Sequence, residues 1–180
     1  MSETNTSRDS SMRVILIAAI GKNNELGRNN DLMWRLKHDM DFFKRVTTGH
    51  WVIMGRKSWD SLPAKYRPLP LRENAVITRD ASFAADGAHV FGNLHDALKA
   101  AEEAHADIAF IIGGGQIYTE ALQLNIVDEM YLTHVDAVFK DADVFFPIIE
   151  NVLWNTQLIE SFEADDRNEY AGSIYHFQKK

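Results

Sequence analysis

The stretch RVILIAAIGKNNELGRNND (residues 13–31) decides the architecture. After Arg13, the seven residues Val14 to Ile20 are continuously apolar, with none of the alternation of a half-exposed strand. Such a strand is covered on both faces and lies inside a sheet with helices on either side. The residues that follow, GKNNELGRNND, are dense in Gly and Asn and form a loop. A seven-residue apolar run is also too short to span a bilayer.

The same grammar continues outward. WVIM (51–54), AVIT (75–78), HVF (89–91) and IAFII (108–112) are further short buried-strand candidates. Helix candidates lie between them at 37–48, 57–62, 93–105 and 116–124. Asn93 is placed to cap the third, with Asp96 in its first turn. Alternating strands and helices predict an α/β domain with a largely parallel sheet. MYLTHV (130–135), TQLIESF (156–162) and YAGSIYHFQ (170–178) alternate more, and the turn-like EADDRN (163–168) separates the last two, as in an antiparallel hairpin. Neither a repeat nor a linker interrupts the chain. Its 180 residues suit a single domain over 12–180, preceded by a polar tail over 1–11.

Composition narrows the function. A net charge of −7 opposes nucleic-acid or anionic-membrane binding, so an anionic ligand must meet a local cluster of Lys and Arg. The absence of cysteine excludes disulfides and thiolate chemistry and suits a reducing cytoplasm, where the chain is expected to work as a monomer. The seven histidines are scattered without ligand spacing, and no metal centre is expected.

One residue violates the pattern. Projected at about 100° per residue, segment 36–48 gathers Leu36, Met40, Phe43, Val46 and Thr47 on one face, and Lys37, His38, Asp41, Lys44 and Arg45 on the other. Asp39 falls among the apolar residues. A carboxylate there costs several kcal/mol unless paired or protonated. Periodicity leaves two readings balanced: a first-turn acid favouring the helix start, or an acid–base group or ligand anchor whose pKa is raised by burial.

Two glycine turns suggest a cofactor. IAFIIGGGQIY (108–118) sets three glycines between a strand and a helix, where the backbone can approach a ligand and the helix start favours an anion. VIMGRKSWDSL (52–62) repeats strand, glycine and helix, with Arg56, Lys57 and Ser58 at the junction. Thr78 and Arg79 end the next strand. If the two strand ends are neighbours, three cations and two hydroxyls converge in a pocket that suits a phosphate, specifically the 2′-phosphate that separates NADPH from NADH. Taken singly, either segment also reads as a solvated basic turn.

Taken together, LIAAIGKNNELG, LMWRLKHDMDFFK, VIMGRKSWDSL, RPLPLREN, IIGGGQIY and YLTHV resemble the dihydrofolate reductase family in order and spacing, from Val14 to Gln178. The resemblance implies an α/β domain with a central, mostly parallel eight-stranded sheet, flanking helices and an antiparallel C-terminal hairpin edge. It implies NADPH-dependent reduction of dihydrofolate to tetrahydrofolate for one-carbon metabolism, and binding of antifolate inhibitors. The expected catalytic residues are Asp39, holding the pterin; Thr133, bonded to that carboxylate; Trp34, ordering a water; and Tyr118, beside the nicotinamide. Ile17, Ala18 and Ala19 would floor the site, with Ile112 next to the nicotinamide. Leu36, Phe43, Leu62 and Leu69 would hold the aminobenzoyl group, and Arg72 and Arg67 the glutamate tail. Arg56, Lys57, Ser58, Thr78 and Arg79 match the adenosine-phosphate region. Gly113, Gly114, Gly115, Gln116 and Ile117 match the pyrophosphate turn, and Leu26 and Gly27 a loop that closes over the nicotinamide.

The chain departs from the family pattern at Met33 and Lys37, where Pro is common, at Leu71 before Arg72, and at Ala142, where some members have Gly. A related enzyme class that reduces a ribosylamino-pyrimidine would share the cofactor side, but has no reason to keep Trp34, Asp39 and Arg72 together. A non-catalytic nucleotide- or folate-binding module is the other alternative.

Overall fold

The computed structural model describes residues 11–28 and 31–180. The tail expected over 1–11 therefore lies, Ser11 apart, outside the described residues, as do loop residues Asn29 and Asn30. In chain order the strands are β1 Arg13–Ile20, β2 Glu25–Gly27, β3 Trp51–Gly55, β4 Glu73–Ile77, β5 His89–Phe91, β6 Ile108–Gly113, β7 Glu129–Val135, β8 Val144–Phe145, β9 Trp154–Phe162 and β10 Gly172–Lys179. The helices are α1 Lys37–Thr47, α2 Arg56–Ser61, α3 Leu94–Glu103 and α4 Gly115–Gln123. Among the described residues no helix is long and apolar enough to cross a membrane.

Eight strands form one sheet in the order β5-β4-β3-β6-β1-β7-β10-β9. The six from β5 to β7 run parallel; β10 and β9 close the edge antiparallel. The apolar run Val14 to Ile20 lies in β1, paired on both sides by β6 and β7. Its alternate side chains feed two cores. Val14, Leu16, Ala18 and Ile20 pack with Leu94, Ala97 and Leu98 of α3 and Ile117, Tyr118 and Ala121 of α4. Ile15 and Ile17 pack with Phe42 of α1 and Trp59 of α2. Coverage on both faces is what a continuous apolar run requires.

Local chemistry explains the elements. Asn93 Oδ1 accepts the Asp96 N–H at 2.8 Å, the expected cap of α3. Lys37 and Asp41 pair at 2.6 Å one turn apart on α1. The projection of α1 needs one correction. Met40 is 58% exposed, whereas Phe42 enters the core at 4%. The apolar face of α1 meets the core on one side and solvent at Met40, and periodicity does not separate the two. A second difference is a short antiparallel pair, β2 with β8, too brief to leave a periodic signal.

Candidate active site

Because β1, β3, β4, β6 and β7 are parallel, their carboxyl ends share one rim, where ligands of open α/β sheets bind. On this rim Ala19 of β1 lies in register with Thr133 of β7. Thr133 is buried, and its hydroxyl donates to Asp39 Oδ1 at 2.5 Å, joining α1 to the sheet. Burial raises the Asp39 pKa above the ordinary carboxylate range, while the Thr133 bond and the nearby His38 oppose the shift. The carboxylate on the apolar face is thus a partly buried acid with a hydroxyl partner.

Around it, Leu36, Leu69, Phe43, Leu62 and Ile112 join one apolar cluster with Ile17 and Ala19. Ala18 packs on the opposite face, with α4. Met33 also packs against the first cluster, and Met40 and Leu32 stand exposed nearby in sequence. Trp34 is buried, its ring 5.0 Å from that of Phe139.

Arg72 is half-buried. Its Nε donates to Pro70 O at 2.8 Å, an Nη donates to Thr47 Oγ1 at 3.1 Å, and the guanidinium lies 5.8 Å from the Phe43 ring. Burial lowers its pKa, yet a guanidinium stays charged. Residue patterns did not single out Asn74, which is buried and shapes this loop. It accepts from Leu69 N at 2.9 Å and donates to Leu69 O and Arg72 O, each at 3.0 Å. A lone Asn within an apolar strand was the available signal. Leu71, next to Arg72, is exposed and holds φ at 60°, a conformation Gly or Asn adopts more readily. Arg67 sits in the same segment, one residue beyond a short helical turn.

The glycine turn packs closely against the protein's own side chains. Gly113 holds φ at +127°, and a Cβ there would lie 3.2 Å from Tyr118 Oη and 3.5 Å from Ser58 Oγ. At Gly115 a Cβ would reach 2.7 Å from Val144 Cγ1. The Tyr118 hydroxyl lies within bonding distance of two carbonyls, Ile17 O at 2.7 Å and Ile112 O at 2.8 Å, so it ties β1 to β6. Burial, with a contribution from Asp39, pushes its pKa far up. It stays a neutral donor. A groove of about 500 Å³ flanks α4, lined by Gly115, Gln116, Thr119, Glu120, Val144 and neighbouring residues, and none of the expected pterin residues enters it. Leu26 lies within reach of Gly115, and Gly27 O accepts from Asp143 N at 3.0 Å, so the expected closing loop is laddered to β8.

The ends of β3 and β4 are neighbours, Gly55 opposite Ile77. This brings Arg56 and Lys57 beside Thr78 and Arg79, but with a carboxylate among them. Arg56 bonds Asp80 Oδ2 at 3.0 Å and lies 4.3 Å over the Phe83 ring, and Thr78 Oγ1 accepts from Asp80 N at 3.1 Å. Ser58 turns toward Gly113 instead. The cluster therefore offers Lys57 and Arg79 on the exposed side and a pre-oriented Arg56. Together with the glycine turn, these residues fit a phosphorylated dinucleotide.

The similarities agree with this geometry. The family model described as Dihydrofolate reductase matches residues 13–179. A dihydrofolate reductase from Mycobacterium tuberculosis is 46% identical over 137 residues, 75% of this chain and 80% of the relative. A type 3 dihydrofolate reductase from Salmonella typhimurium is 39% identical over 160 residues, 89% of this chain and 94% of the relative. A solved dihydrofolate reductase from Enterococcus faecalis, complexed with NADP(H) and RAB-propyl, superposes with a TM-score of 0.83 at 26% identity, covering 95% of this chain and 98% of that one. The chain belongs to the dihydrofolate reductase family.

Proposed function

We propose that this enzyme reduces 7,8-dihydrofolate to 5,6,7,8-tetrahydrofolate in the cleft between α1 and the carboxyl ends of β1, β6 and β7, with Asp39 anchoring the pterin. The observation that carries the reading is the Asp39–Thr133 pair at 2.5 Å, on the same rim as the glycine turn of β6. The glycine turn would hold NADPH, which when bound would supply the hydride for C6 of the substrate. Gly113 to Ile117 would cradle the pyrophosphate at the start of α4, and Arg56, Lys57, Thr78 and Arg79 would meet the 2′-phosphate.

Asp39 holds the edge of the ring that carries the 2-amino group and N3. It faces away from N5, so a water delivers the N5 proton, and the carboxylate favours the protonated ring electrostatically. Thr133 orients Asp39 and supports its ionised form. Trp34 closes the loop side of the cleft. Tyr118 spaces β1 from β6 beneath the nicotinamide, and its neutral hydroxyl takes no part in proton transfer. Phe43, Leu62 and Leu69 take the aminobenzoyl group, and Arg72, oriented by its bonds to Pro70 and Thr47, grips the α-carboxylate of the tail. The reading extends to a cytoplasmic monomer that antifolates inhibit by competing for Asp39.

Mixing the protein with NADPH and dihydrofolate and following NADPH absorbance tests the proposal. Turnover with this pair, blocked by methotrexate, is the expected result. Absence of turnover, or turnover only with a ribosylamino-pyrimidine, overturns it.

A further inference from the structure

Helix α1 starts without a local cap. Its N-cap residue, Leu36, has no side-chain acceptor, yet the first N–H groups of a helix need partners. They find them 130 residues away in sequence. His38 N–H donates to Asn168 Oδ1 at 3.0 Å, and Lys37 N–H to Arg167 O at 3.2 Å. Accepting from the second helical residue is what an N-cap Asn ordinarily does from within the helix's own segment. The Lys37 bond also gives a use to that departure from Pro, since Pro has no N–H to donate.

Asn168 is built for this task. It is 7% exposed. Its Nδ2 donates to Asp165 Oδ1 at 3.1 Å, which turns its carbonyl oxygen toward α1. Asp165 Oδ1 also accepts from Arg167 N and Asn168 N, each at 2.8 Å, and so holds the β9–β10 loop in a tight turn. The loop then runs along the segment before α1: Leu36 bridges Asn168, and Glu169 N donates to Arg35 O at 3.0 Å. The same hairpin grips α1 a second time. His38 Nε2 lies 2.8 Å from Glu160 Oε2, Arg45 pairs with the other oxygen, and the His38 ring stacks on Phe162 at 4.8 Å.

We infer that Asn168 is a positioning residue for catalysis, capping α1 from the β9–β10 loop and thereby fixing where Asp39, one residue beyond His38, presents its carboxylate. Asp39 sits in the first turn, the part of a helix that frays first when its N–H groups lose their partners. Thr133 fixes the carboxylate at its oxygen; Asn168 fixes it at its backbone. The inference rests on Asp39 as the substrate anchor.

The test is steady-state kinetics on the full chain carrying Asn168→Ala, with Asp39→Asn measured alongside. The expected result is a fivefold to tenfold rise, roughly, in KM for dihydrofolate with a lower kcat and an unchanged KM for NADPH. Exchanging the pair as Asn168→Asp with Asp165→Ser keeps the acceptor facing His38, because the Ser hydroxyl can accept from the loop N–H groups while donating to the new carboxylate, and restores the parent KM. A purely structural role would lower kcat through loss of folded enzyme and leave both KM values alone, and that outcome overturns the inference. So does a KM for dihydrofolate within about twofold of the parent, or failure of the exchange to rescue. If Asn168→Ala does not fold, Asn168→Ser, too short to span the bond, carries the same readout. An inert Asp39→Asn would show that the anchor reading had failed. An inert Asn168→Ala beside a crippled Asp39→Asn overturns the cap alone.

Discussion

Replacing Asp39 by Asn swaps a carboxylate for an amide of nearly the same shape, and the structure predicts opposite effects on activity and stability. A hydrogen bond to a charged acceptor contributes about 1.5–3 kcal/mol. The pterin edge would make two such bonds, and an amide oxygen preserves part of one. A loss of about 2–4 kcal/mol in the transition state lowers kcat/KM for dihydrofolate roughly 30- to 1,000-fold near neutrality. At lower pH part of the activity returns, because the substrate arrives already protonated. Stability moves the other way. Burial raises the folded-state pKa of Asp39, so the folded chain holds its proton where the unfolded chain has released it. Stability therefore falls as pH climbs from the ordinary carboxylate range through the raised value. Asn is spared that cost. The variant therefore has the higher Tm at neutral pH, and the difference fades in acid. Calorimetry and NADPH-coupled kinetics across pH measure both. Equal kcat/KM in variant and parent across neutral pH refutes the assignment of Asp39, and a Tm that falls at neutral pH refutes the burial argument.

Thr133→Val removes the hydroxyl that supports ionised Asp39. The Asp39 pKa then rises further, the acid limb of the kcat/KM profile moves to higher pH, and activity at neutrality drops about tenfold; an unmoved limb contradicts the pairing. Gly113→Ala forces a side chain into a backbone with φ at +127° and against Tyr118 Oη, so thermal unfolding should show a loss of about 1–3 kcal/mol, and NADPH titration a weaker affinity. Tyr118→Phe leaves the Ile17 and Ile112 carbonyls without their shared donor and costs about 1–3 kcal/mol by denaturant titration, but the pH profile of kcat keeps its shape because the hydroxyl does not ionise in the working range.

Much of this molecule is written locally. The apolar run Val14 to Ile20 names a strand covered on both faces, and the structure places it between β6 and β7. Asn93 marks the start of α3, and the glycines before α4 mark a tight strand-to-helix turn where Tyr118, Ser58 and Val144 leave little room for a side chain. The misplaced charge of Asp39 is visible as a break in the periodicity of its own helix. Each of these depends on residues a few positions apart, within reach of propensity, capping and face patterning.

What the chain alone could not decide depends on contacts between distant segments. Periodicity puts Met40 on the apolar face of α1 but does not say which residues reach the core, and the fold leaves Met40 exposed while it buries Phe42. The partner of Asp39 lies 94 residues away on β7, and the register of β7 against β1 brings it onto the rim. Residue patterns alone left Asp39 balanced between cap and anchor; only the family resemblance named Thr133. The cation cluster at Arg56 reads as free charge until folding brings Asp80 against it. Asn168 reads as a turn residue, yet it caps a helix that begins 131 positions earlier at Lys37. Sequence by itself determined the strands and helices long enough to carry a pattern, and which residue was out of place. Sheet register and loop docking decided what that residue faces, because hydrogen-bond partners far apart in the chain are chosen by the tertiary fold and leave no local pattern behind.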